Sequence, residues 1–168
     1  METTHALDPT LLASATLSLL SEYIEGIKNS EDEGNLRYGV ILPNIVNNDY
    51  LGFPDLLSSA SSDWFMGETW QFGDWISAIP PELAGFAEIC SVFELNREDA
   101  EIIILLSGIA LSETARELCV SLTMGINEVP WIIRLSGLLD ILSYRHLQWR
   151  EKFLSRFRKD KPLSANRL

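Results

Sequence analysis

The stretch from residue 94 to residue 142 constrains the fold most, because it combines dense apolar patterning with clear helix boundaries. Asn96 is a favourable N-cap, and Asp99 three residues later is typical of a capping box. The run Ile-Ile-Ile-Leu-Leu at 102–106 is apolar on every helical face, unlike the sequence of an amphipathic surface helix. The pattern therefore predicts a central helix that is surrounded by the rest of the protein.

Two further helices are predicted after the central one. Ser112 is a suitable N-cap for the first of them, and Gly125 is a suitable stop. Pro130 stands near the first turn of the next helix, where its missing N–H has no cost. Apolar residues then recur in steps of three and four over 131–157, which predicts one long helix with a bend near Gly137.

The N-terminal half is less regular. Asp8 and Pro9 form a typical N-cap and first helical position, and the helix they open is predicted to run to about Asn29. Residues 38–46 are the best strand candidate, but Pro43 limits them to an edge strand or extended chain.

Together these patterns predict an all-α fold: a predominantly helical single domain of about six helices. An irregular aromatic-rich segment and at most one short strand complete it. A chain of 168 residues is long enough to bury a sizeable core. The domain is predicted to cover residues 1–160, followed by a loose C-terminal tail at 161–168. An apolar fraction of 46% argues against a disordered chain.

Charge is distributed very unevenly along the chain. Residues 1–133 contain 4 Lys+Arg and 21 Asp+Glu, a net charge of −17. Residues 134–168 contain 9 Lys+Arg and 3 Asp+Glu, a net charge of +6, and the two parts sum to −11. This asymmetry indicates either two surfaces with different partners or a basic tail folded over an acidic body. An acidic body repels nucleic acid and attracts basic proteins.

The segment 63–75 has the least ordinary composition, with three of the five tryptophans and a near-repeat of Trp-x-x-Gly-acid six residues apart. Tryptophan is enriched at binding hot spots, and rings beside carboxylates suit a lysine or arginine of a partner. The predicted partner-binding residues are Trp64, Glu68, Trp70, Asp74 and Trp75. Two alternatives remain open: the tryptophans cap one end of the core, or Glu68 and Asp74 act as paired carboxylates of a small hydrolase.

Residues 111–121, Leu-Ser-Glu-Thr-Ala-Arg-Glu-Leu-Cys-Val-Ser, together with 95–98, resemble the helix-turn-helix of response-regulator output domains and sigma-factor region four. The resemblance places a turn at Cys119 and implies a transcriptional regulator with a degenerate helix-turn-helix around residues 97–135. The second half departs from the motif, since it has no Arg or Lys from Val120 to Ile133. A reader of the major groove needs such donors, so the sequence disfavours nucleic acid as the partner.

The leading hypothesis is a non-enzymatic, acidic protein-binding module that neutralises or escorts a basic protein partner. Immunity proteins, inhibitors and secretion chaperones are acidic proteins of this physical type. The basic end of the chain is predicted to be a secondary docking surface, formed by Arg145, Arg150, Lys152 and Arg156. A homo-oligomer remains open.

Sequence motifs for catalysis are lacking: there is no Gly-rich phosphate loop, no GxSxG and no HExxH. We therefore predict no catalytic residues, no cofactor and no small-molecule substrate. Cys90 and Cys119 with two histidines do not have the spacing of zinc ligands, so no metal is predicted, and both cysteines are predicted to be buried free thiols. The N-terminus lacks a signal-peptide pattern and the chain lacks a long apolar run, which predicts a cytoplasmic protein without a membrane contact.

Overall fold

The computed structural model describes residues 6–29, 62–123, 135–144, 149–158 and 160–162. The elements are α1 (Pro9–Asn29), α2 (Asp63–Met66), α3 (Glu68–Phe72), a 3-10 turn (Pro81–Leu83), α4 (Ala84–Val92), α5 (Arg97–Leu111), α6 (Glu113–Thr123), α7 (Leu135–Leu142) and α8 (Trp149–Arg156). The predicted all-α class is confirmed, with more helices in these ranges than the six or so expected. The strand candidate at 38–46 and the boundary residues Gly125 and Pro130 lie outside the described residues.

The first helix has the predicted bounds, Pro9–Asn29. The side chain of Asp8 accepts the backbone N–H of Thr10 at 2.9 Å and also accepts the Thr10 hydroxyl. These hydrogen bonds, the hydroxyl first, hold the pKa of Asp8 below its usual value. The carboxylate therefore satisfies one of the N–H groups that a helix start leaves without an intrahelical partner.

Helix α5 is the centre of the core, as predicted. The Asn96 side chain accepts the Asp99 N–H at 2.9 Å, and the Asp99 side chain accepts the Asn96 N–H at 3.2 Å, which completes the capping box. The helix packs against α1, α6 and α8. Only its outer side departs from the expected enclosure, since Leu106 and Leu111 are exposed.

The crossing of α1 and α5 depends on Gly108. A Cβ atom at Gly108 would lie 1.9 Å from the Thr16 Oγ1 atom, so no larger residue fits without movement. The Thr16 hydroxyl lies in this gap and is 2.8 Å from the carbonyl oxygen of Ile104, to which it donates. The two backbones thus approach each other closely, and the buried hydroxyl keeps a hydrogen-bond acceptor.

Replacing Gly108 with alanine is expected to lower the free energy of unfolding by about 1–3 kcal/mol, because overpacking costs more than the improved helix propensity returns. Urea denaturation measures the change. Adding Thr16→Ala should partly reverse the effect, and Leu106→Ala on the outer side of α5 should change stability less. A stable Gly108→Ala variant would show that the helices are not this close.

The single long helix predicted after Pro130 is wrong. Helix α7 ends at Leu142, a turn follows, and α8 begins at Trp149. Arg150 forms an ion pair with Asp140, although residues ten apart in one straight helix lie about 15 Å apart along its axis. Helices α7 and α8 are therefore separate helices that pack against each other.

Gly137, where a bend was predicted, allows a close helix contact. A Cβ atom at this position would lie 2.5 Å from the Cγ2 atom of Thr123, which is fully buried at the end of α6. Helices α6 and α7 therefore touch with almost no side chain between them. Upstream, Ser112 is the only residue between α5 and α6, and its hydroxyl accepts the Ala115 N–H at 3.2 Å, as the predicted cap requires.

Candidate functional site

The aromatic segment forms two short helices, α2 and α3, rather than irregular chain alone. Gly67 separates them, and a Cβ atom there would lie 2.9 Å from the carbonyl oxygen of Asp63. Gly73 ends α3, with its N–H donating to the Thr69 carbonyl oxygen at 3.1 Å. The two glycines of the near-repeat thus both mark helix ends, and residues 75–78 continue as a turn.

Trp70 is the centre of this segment and is completely buried. Its ring centroid lies 5.3 Å from that of Trp64, 5.2 Å from that of Phe65 and 5.4 Å from that of Trp75. Its indole N–H donates to Glu101 Oε1 at 3.0 Å. Trp70, a predicted partner-binding residue, is therefore inaccessible to a partner in this conformation, because both its ring and its N–H are used inside the protein.

The other four predicted binding residues have mixed exposure. Trp64 and Trp75 are half-buried and pack against the core. Glu68 and Asp74 are exposed. The tryptophans therefore cap one end of the core, which was the structural alternative, and an open aromatic cage with Trp70 as a wall is excluded in this arrangement. The two carboxylates remain available at the surface.

Sequence reasoning missed the apolar residues that this segment does expose. Phe72, at the end of α3, is 68% exposed, and Ile76 in the following turn is 44% exposed. Asp74 lies between them in sequence. Because other apolar residues and tryptophans are mixed in this segment, the sequence does not show which rings face outward. Their exposure depends on how α3 is oriented against α5.

Residues 62–96, here called the acidic segment, contain no Lys, Arg or His. All of its acidic residues are exposed: Asp63, Glu68, Asp74, Glu82, Glu88 and Glu94. Four of the ten large hydrophobic residues exposed in the described ranges also belong to it: Phe72, Ile76, Ile89 and Val92. The segment thus combines a formal charge of −6, from six acids and no cations, with apolar groups in contact with solvent.

Arg97 joins this segment to the rest of the molecule. Its guanidinium donates to the backbone carbonyl of Gln71 and, at 3.2 Å, to Glu98. Its Nε atom lies 3.6 Å from Glu101 Oε1, and its guanidinium carbon lies 4.0 Å above the ring of Trp149 in α8. One side chain therefore contacts the end of α3, the first turns of α5 and the start of α8.

Two of the basic C-terminal residues that the structure describes, Arg150 and Arg156, pair with acids from other helices. Arg156 Nε and Nη2 donate to the two carboxylate oxygens of Asp99, at 2.7 and 2.6 Å, and these bonds raise the pKa of Arg156. Asp99 is fully buried. Arg156, a residue of the predicted docking surface, is therefore engaged inside the chain in this conformation, because its guanidinium binds a carboxylate of the same chain.

Arg150 pairs with Asp140 of α7, whereas Lys152 is exposed. Arg145, the fourth residue of the predicted docking surface, lies outside the described residues. Helix α8 packs on α5 and α7. Within the described residues, α8 thus meets the acidic part of the chain through the pair between Arg156 and Asp99.

The cysteines are buried free thiols, as predicted. Burial raises the pKa of Cys90, and likewise that of Cys119, to about 12. Both thiols are therefore protonated near neutral pH, and a protonated thiol is a poor nucleophile. Across the described residues, no group of three or more His, Cys, Asp or Glu side chains is arranged to hold a metal ion.

The structure gives no support to the two alternative functions. Helix α6 continues through the fully buried Cys119 to Thr123, so the turn that the helix-turn-helix motif places at Cys119 is absent there. Residues 124–134 of that motif lie outside the described residues. Glu68 and Asp74 are exposed, whereas a glycosidase-like general acid is held in an apolar pocket that raises its pKa.

Comparison of the chain with protein-family models, with curated proteins and with solved structures finds no match. Within the described ranges, no helix combines the length and the apolar character that a membrane crossing requires.

Proposed function

We propose that this chain is a non-enzymatic protein-binding module that takes a basic protein partner through its acidic segment. It would neutralise or escort that partner, as immunity proteins, inhibitors and chaperones do, with the cytoplasm as the predicted compartment. The observation that supports the proposal is the composition of the surface at 62–96: six exposed acids, no cation and four exposed large hydrophobics.

Acidic and apolar groups have different roles in such a surface. Exposed carboxylates accelerate the encounter with a basic partner and repel acidic ones, but add little to the lifetime of the complex. Apolar side chains that become desolvated supply most of the retention. Phe72 is the most exposed large hydrophobic in the described ranges and lies beside Gly73 and Asp74. We therefore assign the anchor role to Phe72 and Ile76 instead of Trp70.

The buried Trp70 and the half-buried tryptophans around it support this surface. Trp70 packs on Trp64 and Trp75 and is fixed by its hydrogen bond to Glu101. A platform that is already ordered loses little conformational entropy when a partner binds. The tryptophans thus contribute to binding by holding the chain that carries Phe72, without touching the partner themselves.

The test is a capture experiment from cells that make the protein, at low and at high salt, with mass spectrometry and absorbance at 260 nm on the bound fraction. Once a basic protein is identified, its affinity is measured for wild type and variants. Phe72→Ser is expected to weaken binding by about tenfold or more, as a hot-spot residue does. Glu68→Gln with Asp74→Asn should mainly slow association, and the effect should shrink at high salt.

Two control variants match these changes. Leu111→Ser replaces an exposed large hydrophobic residue outside the acidic segment, at the end of α5. Glu151→Gln removes the charge of an exposed acid on α8. Neither should change affinity. Equal effects of Phe72→Ser and Leu111→Ser would contradict the assigned surface. Nucleic acid recovered only at low salt, without a basic protein, would favour the regulator alternative.

A further inference from the structure

We infer that Arg97 is a positioning residue that couples the acidic segment to the C-terminal helix α8, so that the two regions loosen and tighten together. The inference rests on the proposed function only where it concerns a bound partner. The coupling itself is a property of the folded chain and can be measured without one.

The first part of the connection lies at the end of α3. The last carbonyl groups of a helix have no partner within it, and Arg97 donates to one of them, the carbonyl of Gln71. Gln71 directly precedes Phe72, the proposed anchor. The guanidinium therefore fixes the backbone from which the exposed ring projects.

The second part lies at the start of α8. The guanidinium carbon of Arg97 is 4.0 Å from the ring centroid of Trp149, which is 5% exposed. A stacked cation with little access to water attracts the ring more strongly than an exposed one. Trp149 opens the helix that continues to Phe153, which is fully buried. The same guanidinium therefore holds both the aromatic segment and α8.

Glu101 completes the connection from below. Its side chain is only 2% exposed, and its Oε1 atom accepts the Trp70 N–H at 3.0 Å and lies 3.6 Å from Arg97 Nε. The carboxylate compensates the charge of Arg97 inside the protein. Lysine cannot replace this arrangement, because an ammonium lacks the planar fork that reaches a carbonyl, two carboxylates and a ring face at once.

The experiment is hydrogen exchange, read by mass spectrometry, on the full-length chain. Arg97→Lys is expected to accelerate amide exchange about tenfold in both 68–78 and 149–157, which corresponds to the loss of a charged hydrogen bond. The matched control is Arg150→Lys, which alters the exposed pair between Arg150 of α8 and Asp140 of α7. It should leave exchange at 68–78 unchanged.

A second variant separates coupling from a general loss of stability. Trp149→Phe keeps an aromatic ring in α8 but weakens the stacking on Arg97, and it should still accelerate exchange at 68–78. Exchange in the middle of α1 serves as the reference for global unfolding. Acceleration confined to α8, or equal acceleration in α1, would overturn the coupling.

The functional arm uses a synthetic amphipathic peptide of lysine and leucine as the probe. Its binding to wild type should slow exchange at 149–157, and it should do so less in Arg97→Lys. If the peptide binds without slowing exchange there, the coupling is wrong. If the variants show coupled exchange but the peptide binds equally well to Phe72→Ser, the proposed function fails and the coupling stands.

Discussion

Replacing Trp70 with alanine is expected to lower the free energy of unfolding by about 3–5 kcal/mol, whereas Phe72→Ala should change it by no more than about 0.5 kcal/mol. Trp70 is fully buried among three aromatic rings, and its removal leaves a cavity and takes the indole donor away from Glu101. Phe72, two residues later, is 68% exposed. Comparing Trp70→Ala with Phe72→Ala therefore distinguishes a residue that stabilises the fold below the surface from one that belongs to the surface.

Urea denaturation followed by far-ultraviolet circular dichroism measures both changes. Trp70→Phe is the intermediate control, since it keeps a ring but removes the N–H that Glu101 accepts. It should cost about 1–3 kcal/mol, as expected when a buried acceptor loses its donor. An unfolding midpoint for Trp70→Ala equal to that of wild type would place this ring outside the core.

Arg156→Leu is expected to cost a comparable amount, about 3–5 kcal/mol, because it leaves the Asp99 carboxylate buried without its cation. Asp99 is fully buried, and the Arg156 side chain is 14% exposed. Arg150→Leu is the matched control, since Arg150 also lies on α8. It removes the ion pair with Asp140, in which the two side chains are 42% and 38% exposed. An exposed pair contributes at most about 1 kcal/mol.

The double variant Asp99→Asn, Arg156→Leu tests the electrostatic reason directly. Asparagine keeps an oxygen for the capping box but carries no charge, so the double variant should be more stable than Arg156→Leu alone. Equal losses for Arg156→Leu and Arg150→Leu would show that the buried pair is not special. Thermal or urea unfolding measures the stability of wild type, Arg156→Leu, Arg150→Leu and the double variant.

The features that sequence reasoning predicted well are local ones. The start of α1 depends on Asp8 and Thr10, which are two residues apart, and the capping box of α5 depends on Asn96 and Asp99, which are three apart. Such contacts form within one helical turn, so their pattern is visible in the sequence. The free buried thiols followed in the same way from their positions on apolar helical faces.

The features that it missed depend on distant residues. Trp70 and Glu101 are 31 positions apart, and Asp99 and Arg156 are 57 apart. The residue type alone does not show whether an acid is buried with a partner or exposed, nor whether a tryptophan is buried or exposed. The apolar stripe over 131–157 was also ambiguous, because one long helix and two separate helices bury the same repeating face.

The spacing of Asp99 and Arg156 has a consequence for how the chain is made. At synthesis rates of about 5–20 residues per second, the 57 positions between them correspond to a delay of about 3–11 seconds. During that interval Asp99, in the first turn of α5, has no Arg156 with which to pair. We therefore expect this turn to stay hydrated until Arg156 has been made. The start of α5 is thus made before the helix that closes it, and the newly made chain keeps this turn incompletely covered until α8 arrives.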